Sequence, residues 1–185
     1  IDPTFADPHA GLVDAYVWLT MVGSMAPTES AALAKSAAER AVSLDPGSAP
    51  AHNAAAQVRF YLEWRWEEAD AEYRRALALN PGLADVHNWY SQFLIAMERP
   101  NEAVQHARRA IALDPLQASQ WGNLGWTYFY AGRFQESITA EERGLELNPS
   151  FAVGRAVLGW TYSALGRHRE AIEAIDRARR DDSEN

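Results

Sequence analysis

The chain contains no cysteine. Disulfide bonds, thiolate metal sites and cysteine nucleophiles are therefore excluded, and the composition fits a reducing, cytoplasmic setting. Long apolar stretches are also lacking, because no run of about 18 apolar residues occurs. The amino terminus has neither the charged nor the apolar region of a signal peptide. We therefore expect a cytoplasmic protein that does not enter a membrane.

Basic residues are scarce relative to acidic ones. The 185 residues include 17 Lys and Arg against 25 Asp and Glu, which gives a formal net charge of −8. A nucleic-acid binder needs a basic face to contact phosphates, so nucleic acid is excluded as a partner. The acidic balance favours a neutral or basic protein or peptide as the partner.

Catalytic and metal-binding motifs are missing as well. The five histidines form no His-x-x-x-His pair, and neither a glycine-rich phosphate loop nor a Gly-x-Ser-x-Gly elbow occurs. Adjacent acids, such as Glu67 with Glu68, diverge on a helix and do not converge on a substrate. We therefore predict no enzymatic activity, no catalytic residue, no cofactor and no metal.

Four prolines recur at a nearly fixed interval. Pro46, Pro81, Pro115 and Pro149 are separated by 35, 34 and 34 residues, and each ends a phrase of Leu, then Asp or Asn, then Pro. A constant period in this range is typical of proteins built from stacked repeats. The sequence therefore favours a partner-binding surface over a catalytic cleft.

Small and apolar residues recur between the prolines. When each proline is set as position 32 of a 34-residue repeat, position 20 is Ala or Ser and position 27 is Ala or Gly. Positions 4, 7, 8 and 11 form one stripe at helical spacing, with position 4 as a packing position that holds histidine in three repeats, and positions 20, 24, 27 and 28 form a second stripe. Turn signals such as Gly132-Arg133 separate the two stripes. Each repeat is therefore predicted to be two antiparallel helices, with the proline closing the second.

This pattern resembles the tetratricopeptide repeat (TPR) family. Its clearest repeat carries Trp121, Leu124, Gly125, Tyr128, Gly132, Ser137, Gly144 and Pro149. The resemblance implies an all-α fold, a right-handed superhelical solenoid of about five antiparallel helix pairs that forms a single domain over residues 1–185. We place the repeats at about 6–48, 49–83, 84–117, 118–151 and 152–185, and we expect residues 1–3 to be the tail of an upstream element.

Two repeats depart from the common length. The first is nine residues too long, and we expect the excess in a loop around residues 20–30, with Thr28 or Ser30 capping the next helix. The second carries one extra residue beside Trp64 and Trp66. We expect these two tryptophans to pack the altered turn against a neighbouring element.

The same resemblance implies a concave groove that is lined by the first helix of each pair. The positions that line it give the candidate partner-binding residues Asn53, Gln57, Phe60, Tyr61, Asn88, Gln92, Trp126, Phe129, Tyr130 and Trp160. Amides offer both a donor and an acceptor to an extended backbone, whereas exposed aromatic side chains anchor interfaces. Two alternatives remain open: the amides form a solvated face, and Trp126 and Trp160 pack between adjacent repeats.

These features favour a protein–protein interaction scaffold that binds a peptide or a partner helix in its groove. Parts of the second and third repeats are similar to TPR regions attached to bacterial signalling proteins, namely cyclases, winged-helix regulators and serine/threonine kinases. The alternative is therefore a regulatory or self-association domain of such a protein, with Met21 and Met25 as contacts. A third hypothesis is carbohydrate or small-molecule binding along the aromatic half. We expect a monomer or a weak homodimer.

Overall fold

The computed structural model describes residues 5–183, and the side chains up to Arg180. The expected upstream tail at residues 1–3 lies outside this range. The described part is built of α-helices. They are α1 (Ala6–Met21), α2 (Pro27–Leu44), α3 (Ala49–Gln57) with a π-helical turn at Val58–Leu62, α4 (Trp66–Leu79), α5 (Ala84–Ala96), α6 (Pro100–Leu113), α7 (Ala118–Tyr130), α8 (Phe134–Leu147), α9 (Ala152–Ala164) and α10 (His168–Ser183).

The chain divides into two compact units. The amino-terminal unit ends at Trp89 and the carboxyl-terminal unit begins at Tyr90, within α5. In the first unit α1 packs on α2 and α3 packs on α4, and α1 also contacts α3. In the second unit α7 packs on α8 and α9 packs on α10, and α7 also contacts α9. Each unit is thus a stack of antiparallel helix pairs.

Small side chains bring the paired helices together. Ala34, Ala41, Ala69 and Ala76 are fully buried in the amino-terminal unit, as is Ser137 in the carboxyl-terminal unit. A Cβ added at Gly144 would lie 3.2 Å from the backbone oxygen of Ala118 and 3.4 Å from Cβ of Trp121. A larger residue at these positions would hold the helix backbones apart, which explains why the sequence keeps them small.

The Leu-Asx-Pro motif forms a compact turn between successive repeats. Before three of the four prolines, the acid or amide accepts a hydrogen bond from a backbone N–H two residues on: Asp45 Oδ1 from Gly47 over 2.8 Å, Asn80 Oδ1 from Gly82 over 2.9 Å and Asn148 Oδ1 from Ser150 over 3.1 Å. After the first turn, the Ser48 hydroxyl oxygen accepts a hydrogen bond from Ala51 N and caps α3. The recurring Asx-Pro phrase therefore ends one helix and prepares the next.

A side chain six residues beyond each proline contacts that proline's carbonyl. His52 Nε2 lies 3.0 Å from Pro46 O, and His87 Nε2 lies 3.2 Å from Pro81 O. Trp121 Nε1 donates to Pro115 O over 2.9 Å, and Arg155 donates to Pro149 O. Histidine, tryptophan and arginine thus place a side-chain nitrogen against the same carbonyl at position 4 of the repeat, a polar contact that the repeat spacing does not predict.

The extra length of the first repeat lies mainly in its helices, so the prediction of a long loop was wrong. Helix α1 has 16 residues against 13 in α7, and α2 has 18 against 14 in α8. Helix α2 begins at Pro27, where a missing N–H costs little. Neither Thr28 nor Ser30 is its cap, because both lie inside the helix and the N-cap residue is Ala26. Ser30 is fully buried and donates a hydrogen bond to Tyr16 O over 2.8 Å.

The extra residue of the second repeat is absorbed by the π-helical turn Val58–Leu62. The chain then passes through Trp64 with φ +60°, an uncommon conformation for a bulky residue. Trp64 is 72% exposed and Trp66 is 46% exposed, with 6.4 Å between their ring centroids. The prediction that they pack against a neighbouring element was wrong, since the rings lie near each other and project to solvent.

Glu141 of α8 is an unusual core residue. It is fully buried, and both of its carboxyl oxygens lack a hydrogen-bond partner. A Cβ added at Gly125 would collide with Oε1, and one added at Gly154 would lie 2.9 Å from Oε2. Burial raises the pKa of the Glu141 carboxyl well above its ordinary value. The glycines of α7 and α9 therefore make room for a buried acid that favours its protonated form.

We predict that Glu141→Gln removes a pH-dependent loss of stability. The raised folded-state pKa makes the Glu141 contribution complete below the ordinary value of 4.5 and reduces it as pH rises toward the raised value. The free energy of unfolding of the variant should therefore exceed that of the natural chain by a margin that grows by about 1.4 kcal/mol per pH unit over this interval. Urea unfolding followed by tryptophan fluorescence at several pH values measures it.

The exposed neighbour Glu142 provides the control. Glu142→Gln removes the same charge from the same helix, and its effect on the unfolding free energy should stay small at every pH. A margin for Glu141→Gln that does not change with pH would contradict the assignment.

Candidate functional site

In the amino-terminal unit, the predicted amides lie at different depths. Gln57 is fully buried, and its Nε2 donates to Asp14 Oδ1 over 2.6 Å. Asn53 is 6% exposed, whereas Asn88 on α5 is only partly buried. Gln57 is therefore held within the unit by an internal hydrogen bond, and the repeat spacing does not predict Asp14 as its partner.

The predicted aromatic residues of this unit form a contact chain. Phe60 and Tyr61 have ring centroids 4.4 Å apart, and Tyr61 meets Trp89 edge to face at 5.9 Å. All three are partly buried. Burial raises the pKa of the Tyr61 hydroxyl, so Tyr61 stays neutral at physiological pH. The π-helical turn places Phe60 and Tyr61 just after α3, where Tyr61 contacts Trp89 of α5.

In the carboxyl-terminal unit, four predicted residues come together in what we call the aromatic face: Trp126, Phe129, Tyr130 and Trp160. The Trp126 ring lies 4.7 Å from Tyr130 and 5.4 Å from Trp160, centroid to centroid, and Phe129 meets Tyr130 edge to face at 5.4 Å. The first three residues lie on α7 and Trp160 lies at the equivalent position of α9, which is why the rings of the two repeats touch.

The aromatic face combines packing with exposure. Tyr130 is 53% exposed and Trp160 is 44% exposed, while Trp126 and Phe129 are partly buried beside them. Offset and edge-to-face contacts of this kind stabilise aromatic pairs by about 0.5–1.5 kcal/mol each. The rings are thus held in place before any partner binds, and they still leave apolar surface open to solvent. Gln92, the remaining predicted residue, is partly buried on α5.

Charged side chains near the helix turns are paired with one another. Arg133 donates to Glu136 and its guanidinium lies 4.7 Å from the Tyr128 ring, and Arg167 repeats both contacts with Glu170 and with Tyr162 at 4.5 Å. These exposed pairs each contribute little to stability, on the order of 0–1 kcal/mol. Arg65 with Glu68 and Arg99 with Glu102 form the same pair, so a glutamate three residues after an arginine recurs at this turn in four successive repeats.

The described part of the chain contains neither a metal-binding cluster nor a membrane-spanning helix. Among the side chains that the structure describes, up to Arg180, no group of three or more His, Cys, Asp and Glu is arranged to hold a metal ion. No helix in that part of the chain combines the length and the apolar character needed to cross a membrane.

A family comparison identifies three of the repeats. Residues 84–115, 118–151 and 155–178 match the sequence model of the tetratricopeptide repeat. These segments contain the pairs α5–α6 and α7–α8 and most of the pair α9–α10. No curated protein matches the sequence.

Solved structures share the fold. One from the functional characterization of Pseudomonas aeruginosa pilF is 26% identical, covers 94% of this chain and 78% of its own, and has a TM-score of 0.69. YrrB, described as a TPR protein with an unusual peptide-binding site, is 21% identical over 96% of this chain and 86% of its own, with a TM-score of 0.61. MamA is 18% identical over 82% of this chain and 88% of its own, with a TM-score of 0.67.

Together the family match and the structural neighbours confirm the predicted all-α fold of stacked TPR helix pairs. They also support the coarse functional prediction of a protein-interaction scaffold, because repeats of this kind generally act as non-catalytic binding surfaces.

Proposed function

We propose that this chain, which is a tetratricopeptide-repeat protein, binds a peptide segment of a partner protein on its aromatic face. The observation that carries the proposal is the contact between Trp126 and Trp160, which lie one repeat apart and have rings that touch. Trp160 and Tyr130 keep about half of their surface exposed. Rings that are already ordered bind a partner at a low cost in side-chain entropy.

The chemistry of the aromatic face suits an extended or helical peptide with apolar side chains. The four residues carry no formal charge, and their polar groups are limited to indole N–H donors and the Tyr130 hydroxyl. Large apolar side chains of the peptide would contact the rings, and its backbone carbonyls would accept hydrogen bonds from the indoles. YrrB supports this assignment, since its structure is described as having a peptide-binding site on the same fold.

The amides of the candidate site take a secondary part in this proposal. Asn53, Asn88 and Gln92 belong to the proposed binding set together with Phe60 and Tyr61. Gln57 contributes through its bond to Asp14 and not through an open amide, since it is fully buried. We therefore place the main apolar contacts on α7 and α9.

We predict that Trp160→Ala weakens peptide binding. Peptides would be selected from a random phage-displayed library on the full chain, and one would be synthesised with a fluorescent label for anisotropy titration. Loss of an exposed tryptophan anchor should cost about 2 kcal/mol or more, which corresponds to about a thirtyfold rise in Kd.

Trp66→Ala is the matched control, because Trp66 is 46% exposed and lies outside the aromatic face. It should bind the peptide as the natural chain does, and circular dichroism should show both variants folded. Equal affinity of Trp160→Ala and the natural chain would refute the site, as would an equal loss in both variants.

A second candidate function, self-association, is favoured by one observation on α1. Trp18 and Met21 on the helix and Val22 just beyond it are each 50–54% exposed, at a spacing that puts them on one side. Contiguous exposed apolar surface of this kind marks interaction sites. Met25, the other predicted contact, is partly buried.

If this apolar side joins two copies, light scattering at several concentrations should show a dimer that Met21→Glu abolishes. Leu116→Glu is the control, because Leu116 is 75% exposed in a loop far along the sequence. A monomer at every concentration would exclude the second candidate.

A further inference from the structure

The buried acid Glu141 lies between the two helices that carry the aromatic face. Helix α8 packs against both α7 and α9, and α7 packs against α9. A Cβ added at Gly125 of α7 would collide with the Glu141 carboxyl group, and one added at Gly154 of α9 would lie 2.9 Å from Oε2. Gly125 directly precedes Trp126 in the chain. The carboxyl group therefore occupies a junction of three helices, and the packing of this junction sets how α7 and α9 present their rings.

The junction fits a neutral carboxyl group and not an ionised one. Glu141 is fully buried, and both Oε1 and Oε2 lack a hydrogen-bond partner. The Phe151 ring lies beside it, because a Cβ added at Gly122 would be 2.5 Å from Cε1 of that ring and 3.6 Å from Glu141 Oε2. An ionised carboxylate loses its hydration there and gains no hydrogen bond in return. Ionisation is therefore unfavourable while the three helices stay closely packed.

None of the other titratable groups on the three helices acts on the pKa of Glu141, which burial alone raises. On α7 the Tyr128 hydroxyl accepts a hydrogen bond from Arg108, and on α9 the Arg155 guanidinium donates to Pro149 O. The titratable groups that α7, α8 and α9 carry besides Glu141 are Tyr128, Tyr130, Glu136, Glu142, Arg143, Glu146, Arg155 and Tyr162. Among the described residues, the ionised carboxylate thus gains neither a counter-charge nor a donor.

We propose that pH regulates the aromatic face through the ionisation of Glu141. With the carboxyl group neutral, α7, α8 and α9 pack closely and the rings of Trp126 and Trp160 stay in contact. Ionisation draws water to the carboxylate, loosens the junction and disturbs the ring contact, so the face binds its peptide more weakly. The effect on peptide binding rests on the proposed function, whereas the effect on the rings does not.

The direction of the pH dependence follows from linkage. The peptide binds the chain in which Glu141 is neutral, so binding takes up a proton wherever the free chain is ionised, and Kd rises with pH. Because burial raises the pKa of Glu141 well above 4.5, the rise occurs at a higher pH than the titration of an exposed glutamate. Between pH 5 and pH 9 the Kd should increase about tenfold or more.

The binding experiment uses a library-selected peptide that has no titratable side chain and blocked termini. Its Kd is measured by fluorescence anisotropy at several pH values for the natural chain, Glu141→Gln and Glu142→Gln. The natural chain and Glu142→Gln should show the same rise in Kd. Glu141→Gln keeps a neutral group of nearly the same shape, and its Kd should stay constant over the range.

A second measurement needs no peptide. In the free chain labelled with ¹³C and ¹⁵N, NMR follows the carboxyl carbon of Glu141 and the indole N–H signals of Trp126 and Trp160 as the pH is raised. The two indole signals should shift with the same midpoint as the carboxyl carbon, and Glu141→Gln should lack this shift.

A constant Kd of the natural chain from pH 5 to pH 9 would overturn the proposal, and this result needs no variant. An equal rise in Glu141→Gln would overturn it as well. If Trp160→Ala binds the peptide as the natural chain does, the proposed function is refuted, and the indole titration still decides whether Glu141 controls the rings. If Trp160→Ala weakens binding but Kd does not depend on pH, the aromatic face stands and its regulation is refuted.

Discussion

The close approach of paired helices at small side chains is the constraint on which the rest of this structure depends. Ala69 and Ala76 of α4, and Ser137 of α8, are fully buried where two backbones meet. Adding methylenes to such a contact typically costs about 1–3 kcal/mol. Both helices of a repeat supply such small residues, since Gly125 of α7 and Gly154 of α9 also lie against a neighbouring helix. The large side chains Trp126 and Trp160 of α7 and α9 reach the surface.

Most of the fold could be predicted because the residues that impose it recur in register. Helices α2, α4, α6 and α8 each end two residues before one of the four prolines, as the proline ring and the preceding Asx turn require. The aromatic face was predictable for the same reason, since Trp126 and Trp160 hold the same position in successive repeats. The hydrogen bonds from position 4 to the proline carbonyl were not predicted, because the four residues there differ in chemistry.

The remaining features depend on how deeply each side chain is buried and on which way it points. The spacing of residues in the sequence does not determine either. Gln57 and Gln92 share a repeat position, yet Gln57 is buried against Asp14, a residue 43 positions away. In the sequence, Glu141 and Glu142 form an adjacent acidic pair of the kind expected on an exposed helix face. The structure shows instead that Glu141 lies in the core, against glycines of the neighbouring helices. The exposure of Trp64 follows from a π-helical turn, which a single inserted residue does not specify. The repeat pattern therefore does not predict which polar side chains are buried in the core or which residues they contact.

The proposed function requires a partner peptide to contact the rings of α7 and α9. The seven tryptophans give seven indole N–H signals in a ¹⁵N-labelled chain, so one NMR titration with a library-selected peptide reports on all of them. We predict that the signals of Trp126 and Trp160 shift on binding while those of Trp64 and Trp66 do not move. Movement of Trp64 and Trp66 with no change at Trp126 and Trp160 would contradict the claim.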